Sequence, residues 1–176
     1  METIKFEEFA LVTAHRAENV DDPNVLKNFV EAFVKAPIPI VYPVHPRTQK
    51  RLRRFGLWRK LANANNVQLL PPLGYFDFLV LMKNAKFILT DSGGIQEEAT
   101  APSIRKRVLV TRLSTERPEA VKTGFAKVVG VEKRKILEAI EEALCCPQAL
   151  PEVSPYGNGN AAKKIAEILK KNLDSL

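Results

Sequence analysis

Cysteine is nearly missing from this sequence: Cys145 and Cys146 are the only two, and they are adjacent. Neighbouring cysteines rarely bridge each other, and no second pair exists to build a disulfide framework or a zinc site. They are expected to pack at a helix end. Histidine is equally scarce, with His15 and His45 alone, so no metal centre is expected, and nothing calls for a cofactor. No apolar run approaches the ~20 residues that a membrane span needs. The start, Met1-Glu2-Thr3-Ile4-Lys5, lacks the charged-then-apolar layout of a secretion signal. No membrane partner and a cytoplasmic location are the default expectations. Aromatic residues are only 7% and none of the usual nucleic-acid modules appears, so nucleic acid is not the expected partner.

What is present suits a globular domain. The 176 residues, 45% hydrophobic and 27% charged, fit one domain over 1–176 with a full core. The net charge of +7 is uneven. Arg47, Lys50, Arg51, Arg53, Arg54, Arg59 and Lys60 follow one another with no acid among them. A solvated helix face is the expected reading, with nucleic acid or a phosphorylated ligand as the rival.

Along the chain, short apolar runs alternate with helical patterns. Phe9–Thr13 reads as a buried strand. Asp21 or Asp22 then caps a helix with Pro23 in its first turn, and Val25, Leu26, Phe29, Val30 and Phe33 mark its inner face. Ile38–Val44 is a second strand, followed by a basic helix over 47–55 and a short one over 57–62. Val67–Leu70 is the third strand, and 75–84 a helix patterned by Phe76, Leu79, Val80 and Met82. Strands four to six are 87–90, 107–111 and 126–129. Pro118 opens a helix between the last two. Another helix runs to about 145, then a Pro- and Gly-rich loop over 147–159, then an amphipathic helix over about 160–173 with Ile165, Ile168 and Leu169 on its apolar face. Such alternation means a Rossmann-like, doubly wound parallel sheet of about six strands, class α/β. Ligands then bind at the carboxyl ends of the strands.

That edge collects the polar clusters. After strand four comes Thr90-Asp91-Ser92-Gly93-Gly94-Ile95-Gln96-Glu97-Glu98. Two glycines at a strand-to-helix junction let a ligand approach the backbone, and free N–H groups at a helix start attract phosphate. Asp91 or Ser92 acting as a plain cap is the simpler alternative. Glu98 lies one turn after Gly94 on the same face and suits vicinal hydroxyls such as a ribose. Glu97 points elsewhere, toward a buried or surface partner. His15, with Arg16, and His45 stand just past strand ends; a histidine beside a cation suits a diphosphate, whereas His45-Pro46 equally suits a rigid turn. Arg112 and Arg117 follow strand five. Each suits a phosphate, or else a salt bridge to Glu116 or Glu119.

Four blocks together resemble the UDP-N-acetylglucosamine 2-epimerases: Thr13-Ala14-His15-Arg16-Ala17-Glu18-Asn19, Pro43-Val44-His45-Pro46, Asp91–Glu98, and Arg112-Leu113-Ser114-Thr115-Glu116-Arg117-Pro118-Glu119. The resemblance runs from about residue 9 to 172. It implies the C-terminal half of a two-domain, GT-B type enzyme whose active site lies between two Rossmann-like domains. The N-terminal domain is expected to be missing here. By resemblance, Ser92, Gly93 and Gly94 hold the diphosphate of UDP, Glu98 the ribose, and Phe78 packs near the uracil. Arg16 joins the UDP site and His15 is the catalytic histidine. His45 corresponds to a position tied to a second, regulatory UDP-sugar, with Arg112 and Arg117 as further regulatory or substrate contacts.

The reaction so implied inverts carbon 2 of UDP-GlcNAc to give UDP-ManNAc, by elimination and re-addition of UDP. Its acids and bases belong to the N-terminal domain, so this chain alone is expected to bind UDP or UDP-GlcNAc without epimerising. A homo-oligomer or a separate N-terminal half is the expected partner. The alternatives are a non-catalytic nucleotide-sugar module, or the nucleotide-binding half of a GT-B glycosyltransferase. One stretch departs from the family pattern. Thr100–Arg107 is about two residues longer, with arginines where Gly and Pro are expected, which suggests drift under weaker constraint.

Overall fold

The apolar runs pair as parallel strands: β1 (Ala10–Thr13), β2 (Ile40–Pro43), β3 (Val67–Leu70), β4 (Ile88–Thr90), β5 (Val108–Val110) and β6 (Ala126–Val128). The computed structural model describes residues 3–146 and 149–173; Pro147 and Gln148, which open the expected 147–159 loop, lie outside them. The helices are α1 (Ala17–Val20), α2 (Pro23–Lys35), α3 (Pro46–Arg54), α4 (Trp58–Ala62), α5 (Tyr75–Asn84), α6 (Gly93–Glu98), α7 (Pro118–Lys122), α8 (Lys133–Cys145) and α9 (Ala161–Leu173).

Strand order is β3-β2-β1-β4-β5-β6, and every neighbouring pair is parallel. The order reverses between β1 and β4, so a crevice opens outside their carboxyl ends. Alternate strand residues face opposite layers. Ala10, Val12 and Ile40 pack with Leu26, Phe29 and Phe33 of α2, Leu52 of α3, and Ile136 and Ile140 of α8. Leu11, Ile88 and Val108 pack with Leu81 and Met82 of α5, Ala120 of α7, and Phe125. Both faces are therefore covered, which is why the strands read as unbroken apolar runs.

Several local expectations change. Asp22, not Asp21, caps α2, accepting from the Asn24 and Val25 amides. Asp21 instead takes hydrogen bonds from Arg47 and Arg51 of the basic run, which pull its carboxyl down to about 2. On α5 Leu81 and Met82 are buried and Phe78 and Leu79 pack half-buried against the same core, while Phe76 is 80% exposed and Val80 44%. Cys145 and Cys146 are exposed rather than packed, because the buried stripe of α8 ends at Ala139 and Ile140. No residue of α9 is buried, so the apolar stripe of Ile165, Ile168 and Leu169 lies uncovered.

The stretch before β5 carries one strained residue. Arg105 has φ 50, the left-handed region where glycine is at home. Its guanidinium offsets that cost by donating to the Leu150 and Pro151 carbonyls at 2.6 and 3.1 Å. Arg105→Ala keeps the strained backbone and loses both bonds. Stability is expected to fall by about 1–2 kcal/mol, or roughly 2–8 °C in Tm, measured by thermal denaturation.

Candidate functional site

The site begins with how the chain leaves β1. The Ala14 carbonyl accepts from Tyr42 Oη at 3.2 Å and Thr48 Oγ1 at 2.6 Å. The next two amides, of His15 and Arg16, donate to the carboxylate of Asp91 at 3.0 and 2.9 Å. Asn19 Nδ2 donates both to Asp91 Oδ2 and to the Thr111 carbonyl, each at 3.0 Å. Asp91 is 0% exposed, so one buried carboxylate ties the ends of β1, β4 and β5 together. This corrects the reading of Asp91 as a plain cap for α6. Its oxygens face the β1–α1 loop.

The start of α6 is left open. Thr90 Oγ1 accepts from the Ser92 amide at 3.0 Å and shares a 2.7 Å hydrogen bond with Thr13 Oγ1. Ser92 sits at the cap position, yet its side chain makes no capping bond. Gly94 is exposed, and a β-carbon there would meet nothing closer than Ser92 Oγ, at 4.0 Å. At Gly93 a β-carbon would lie 3.6 Å from the guanidinium carbon of Arg117. Arg117 pairs with Glu97, and Thr115 Oγ1 donates to Gln96 Oε1 at 2.6 Å. The block before α7 is thus latched along α6.

The two arginines after β5 find carboxylates rather than open space. Arg112 pairs with Glu18 and with Glu116, whose carboxyl its hydrogen bond pulls down to about 2. Arg117 pairs with Glu97 and not with Glu119. Arg16 has no ion pair among the described residues. His45 caps α3, its Nδ1 accepting from the Arg47 amide at 3.1 Å, and its ring centroid lies 5.6 Å from that of His15. His15 Nε2 lies 3.8 Å from Asp91 Oδ1. Phe78, in the first turn of α5 past β3, is half-buried. Beside this edge a cleft of about 420 Å³ opens between Glu18, Asn19, Asp22 and Arg112–Ser114; Ser92, Gly93, Gly94 and Glu98 do not line it. Among the described residues no three His, Cys, Asp or Glu side chains cluster as metal ligands.

Glu98 is half-buried on α6. Burial, and then the neighbouring Glu97 charge, raise its carboxyl above the ordinary glutamate value. The folded chain therefore holds that proton more tightly than the unfolded chain, and this group's contribution to stability declines as pH rises through the interval between the two values. A ligand whose hydroxyls donate to this carboxylate needs the ionised form, so binding runs the other way. The affinity of any such ligand is expected to weaken as pH falls from about 7 to about 5, and Glu98→Gln to flatten that dependence. Calorimetry at the two pH values checks it.

A family model described as UDP-N-acetylglucosamine 2-epimerase matches residues 1–170. The chain belongs to the UDP-N-acetylglucosamine 2-epimerase family. A curated UDP-N-acetylglucosamine 2-epimerase of Methanocaldococcus jannaschii is 41% identical over 167 residues, covering 93% of this chain and 44% of the relative. The crystal structure of the Methanocaldococcus jannaschii UDP-GlcNAc 2-epimerase in complex with UDP-GlcNAc and UDP is similar at a TM-score of 0.79 and 41% identity, over 93% of this chain and 45% of that one. An Escherichia coli heptosyltransferase, 15% identical with a TM-score of 0.52 over 78% of this chain and 44% of its own, shares the fold alone. The chain thus spans about half the length of the epimerases it matches.

Within this epimerase-family chain, the structure brings His15, Arg16, His45, Ser92, Gly93, Gly94, Arg112 and Arg117 to one edge of the sheet. The residue missed by sequence reasoning is Asp91 as an organiser of the loop. The available signal was a carboxylate two positions past the apolar run Phe87–Leu89, where burial without a partner is costly.

Proposed function

We propose that this polypeptide is the UDP-binding, C-terminal half of a UDP-GlcNAc 2-epimerase. One observation carries the reading: a buried carboxylate fixes a loop bearing His15 and Arg16 beside an uncapped helix start at Ser92–Gly94. Free amides and two imidazole- or guanidinium-bearing residues on one edge suit a diphosphate. Ser92, Gly93 and Gly94 hold that diphosphate with Arg16. Glu98 accepts from the ribose, Phe78 packs near the uracil, and His15 assists the departing UDP. His45, Arg112 and Arg117 are regulatory or substrate contacts. The groups that the family resemblance assigns to proton transfer at carbon 2 lie outside this chain, and such groups work only within hydrogen-bond reach. The polypeptide alone therefore binds without epimerising.

The expected partner is a second copy of this chain or a polypeptide corresponding to the length of the relatives that this chain does not span. The support is α9, a 13-residue helix with Ile165, Ile168, Leu169 and Leu173 all more than half exposed. Isolated helices of that length are marginal in water, and an uncovered apolar stripe invites association.

Calorimetry with UDP, UDP-GlcNAc and ADP tests the binding half of this reading. Uridine ligands are expected to bind more tightly than ADP, with Glu98→Ala weakening them about tenfold or more. Equal affinity for all three, or an unaffected Glu98→Ala, breaks the assignment. Formation of UDP-ManNAc by the purified chain without a partner overturns the catalytic half.

A further inference from the structure

We propose a second anion site, at the opposite edge of the sheet, that takes a phosphate group. Lys86, Arg105, Lys106 and Arg107 line a cavity of about 150 Å³, together with Phe87, Ala143 and Leu150. These residues sit at the amino ends of β4 and β5, whereas the UDP site lies past their carboxyl ends. Arg105, Lys106 and Arg107 belong to the stretch that leads into β5.

The second observation is an unpaired donor. Arg107 is only 9% exposed. Its Nη2 donates to Glu142 at 3.1 Å, but its Nη1 is buried with no hydrogen-bond partner. A buried charged N–H left unsatisfied is costly, and such a group marks a place where a ligand or ion belongs. Lys106 makes no ion pair among the described residues; burial, and then the Lys86 charge, hold its ammonium below the ordinary lysine value. An arriving anion relieves that repulsion. The acids nearby are already engaged, Glu142 by Arg107 and Lys127 and Glu8 by Lys86 at 2.6 Å. Among the lining residues four are cations and none is an acid, and arginine presents the planar fork that phosphate oxygens match. The cavity volume admits one phosphate with a small substituent. Inorganic phosphate and a phosphate monoester share this chemistry.

Titration calorimetry with inorganic phosphate and with glycerol 1-phosphate separates those sources and tests the site. Wild type is expected to bind at least one of the two. Lys106→Gln and Arg107→Gln are each expected to weaken that binding about tenfold or more, while UDP affinity stays unchanged. Lys106 has no ion pair among the described residues, so its variant keeps the test sound if Arg107→Gln misfolds. Gly94→Ala, which blocks the UDP site, is expected to leave the phosphate titration intact. No phosphate binding by wild type, equal binding by both lysine and arginine variants, or loss of phosphate binding in Gly94→Ala alone overturns the second site. None of these outcomes depends on whether UDP binds.

Discussion

Gly94→Ala is expected to raise the thermal stability of the chain and abolish most of its UDP binding. The two effects separate because they come from different properties of one position. Gly94 lies inside α6 and is exposed, and an added β-carbon meets only Ser92 Oγ at 4.0 Å. Within a helix, alanine is favoured over glycine by roughly 0.5–1 kcal/mol, equal to about 1–4 °C in Tm. A ligand that rests its diphosphate on the backbone amides meets the new methyl directly. Forced overpacking costs about 1–3 kcal/mol, or about 5- to 150-fold in affinity. If Ser92-Gly93-Gly94 merely starts a helix, the variant melts higher and binds UDP as before. Calorimetry and a melting curve on the same preparation decide between the two.

The elements differ in how far they were legible before folding. Val67–Leu70 was bounded to the residue because Pro71 and Pro72 stop it on one side and a polar turn on the other. That the sheet is parallel and doubly wound followed from alternation and handedness, whereas the strand order came from the fold itself. On α5 the buried stripe was read half right: Met82 is buried and Leu79 packs on the core as expected, but Phe76 and Val80 are exposed and Phe78 turns inward. Aromatic and aliphatic residues stand on both faces there, so periodicity did not separate them. Asp91 shows a deeper limit. Its partners are backbone amides of residues 75 and 76 positions away, and no local pattern encodes a bond to a distant main chain. Arg112 and Arg117 make the same point from side chains: Glu116 is four residues from Arg112, but Glu18 and Glu97 reach these arginines only once the sheet has formed. The apolar stripe of α9 was readable as amphipathic. That the domain leaves it uncovered was not, since periodicity reports a face and never what lies against it.

Asp91→Ala is expected to be the most disruptive single substitution at the site, and Asp91→Asn to recover much of it. Alanine removes the shared acceptor of the His15 amide, the Arg16 amide and Asn19 Nδ2. Each buried donor left unsatisfied costs about 1–3 kcal/mol, so a net loss of about 3 kcal/mol, after some relaxation, is a fair expectation. That corresponds to a Tm lower by roughly 6–12 °C. Binding suffers independently of stability. With the loop released, a ligand must reorder Ala14, His15 and Arg16, at about 1 kcal/mol of backbone entropy per residue, and UDP affinity falls about tenfold or more even where the chain remains folded. Asparagine has the same shape and one remaining oxygen. All three donors converge on Oδ2, so an oxygen placed there keeps them; the substituted nitrogen takes the place of Oδ1, losing only the second, 3.2 Å bond from the His15 amide. A melt close to wild type with UDP affinity within a few-fold is therefore expected of Asp91→Asn. An Asp91→Ala chain that binds UDP as tightly as wild type at a temperature where both are folded would falsify the role of this carboxylate in holding His15 and Arg16 toward the open start of α6.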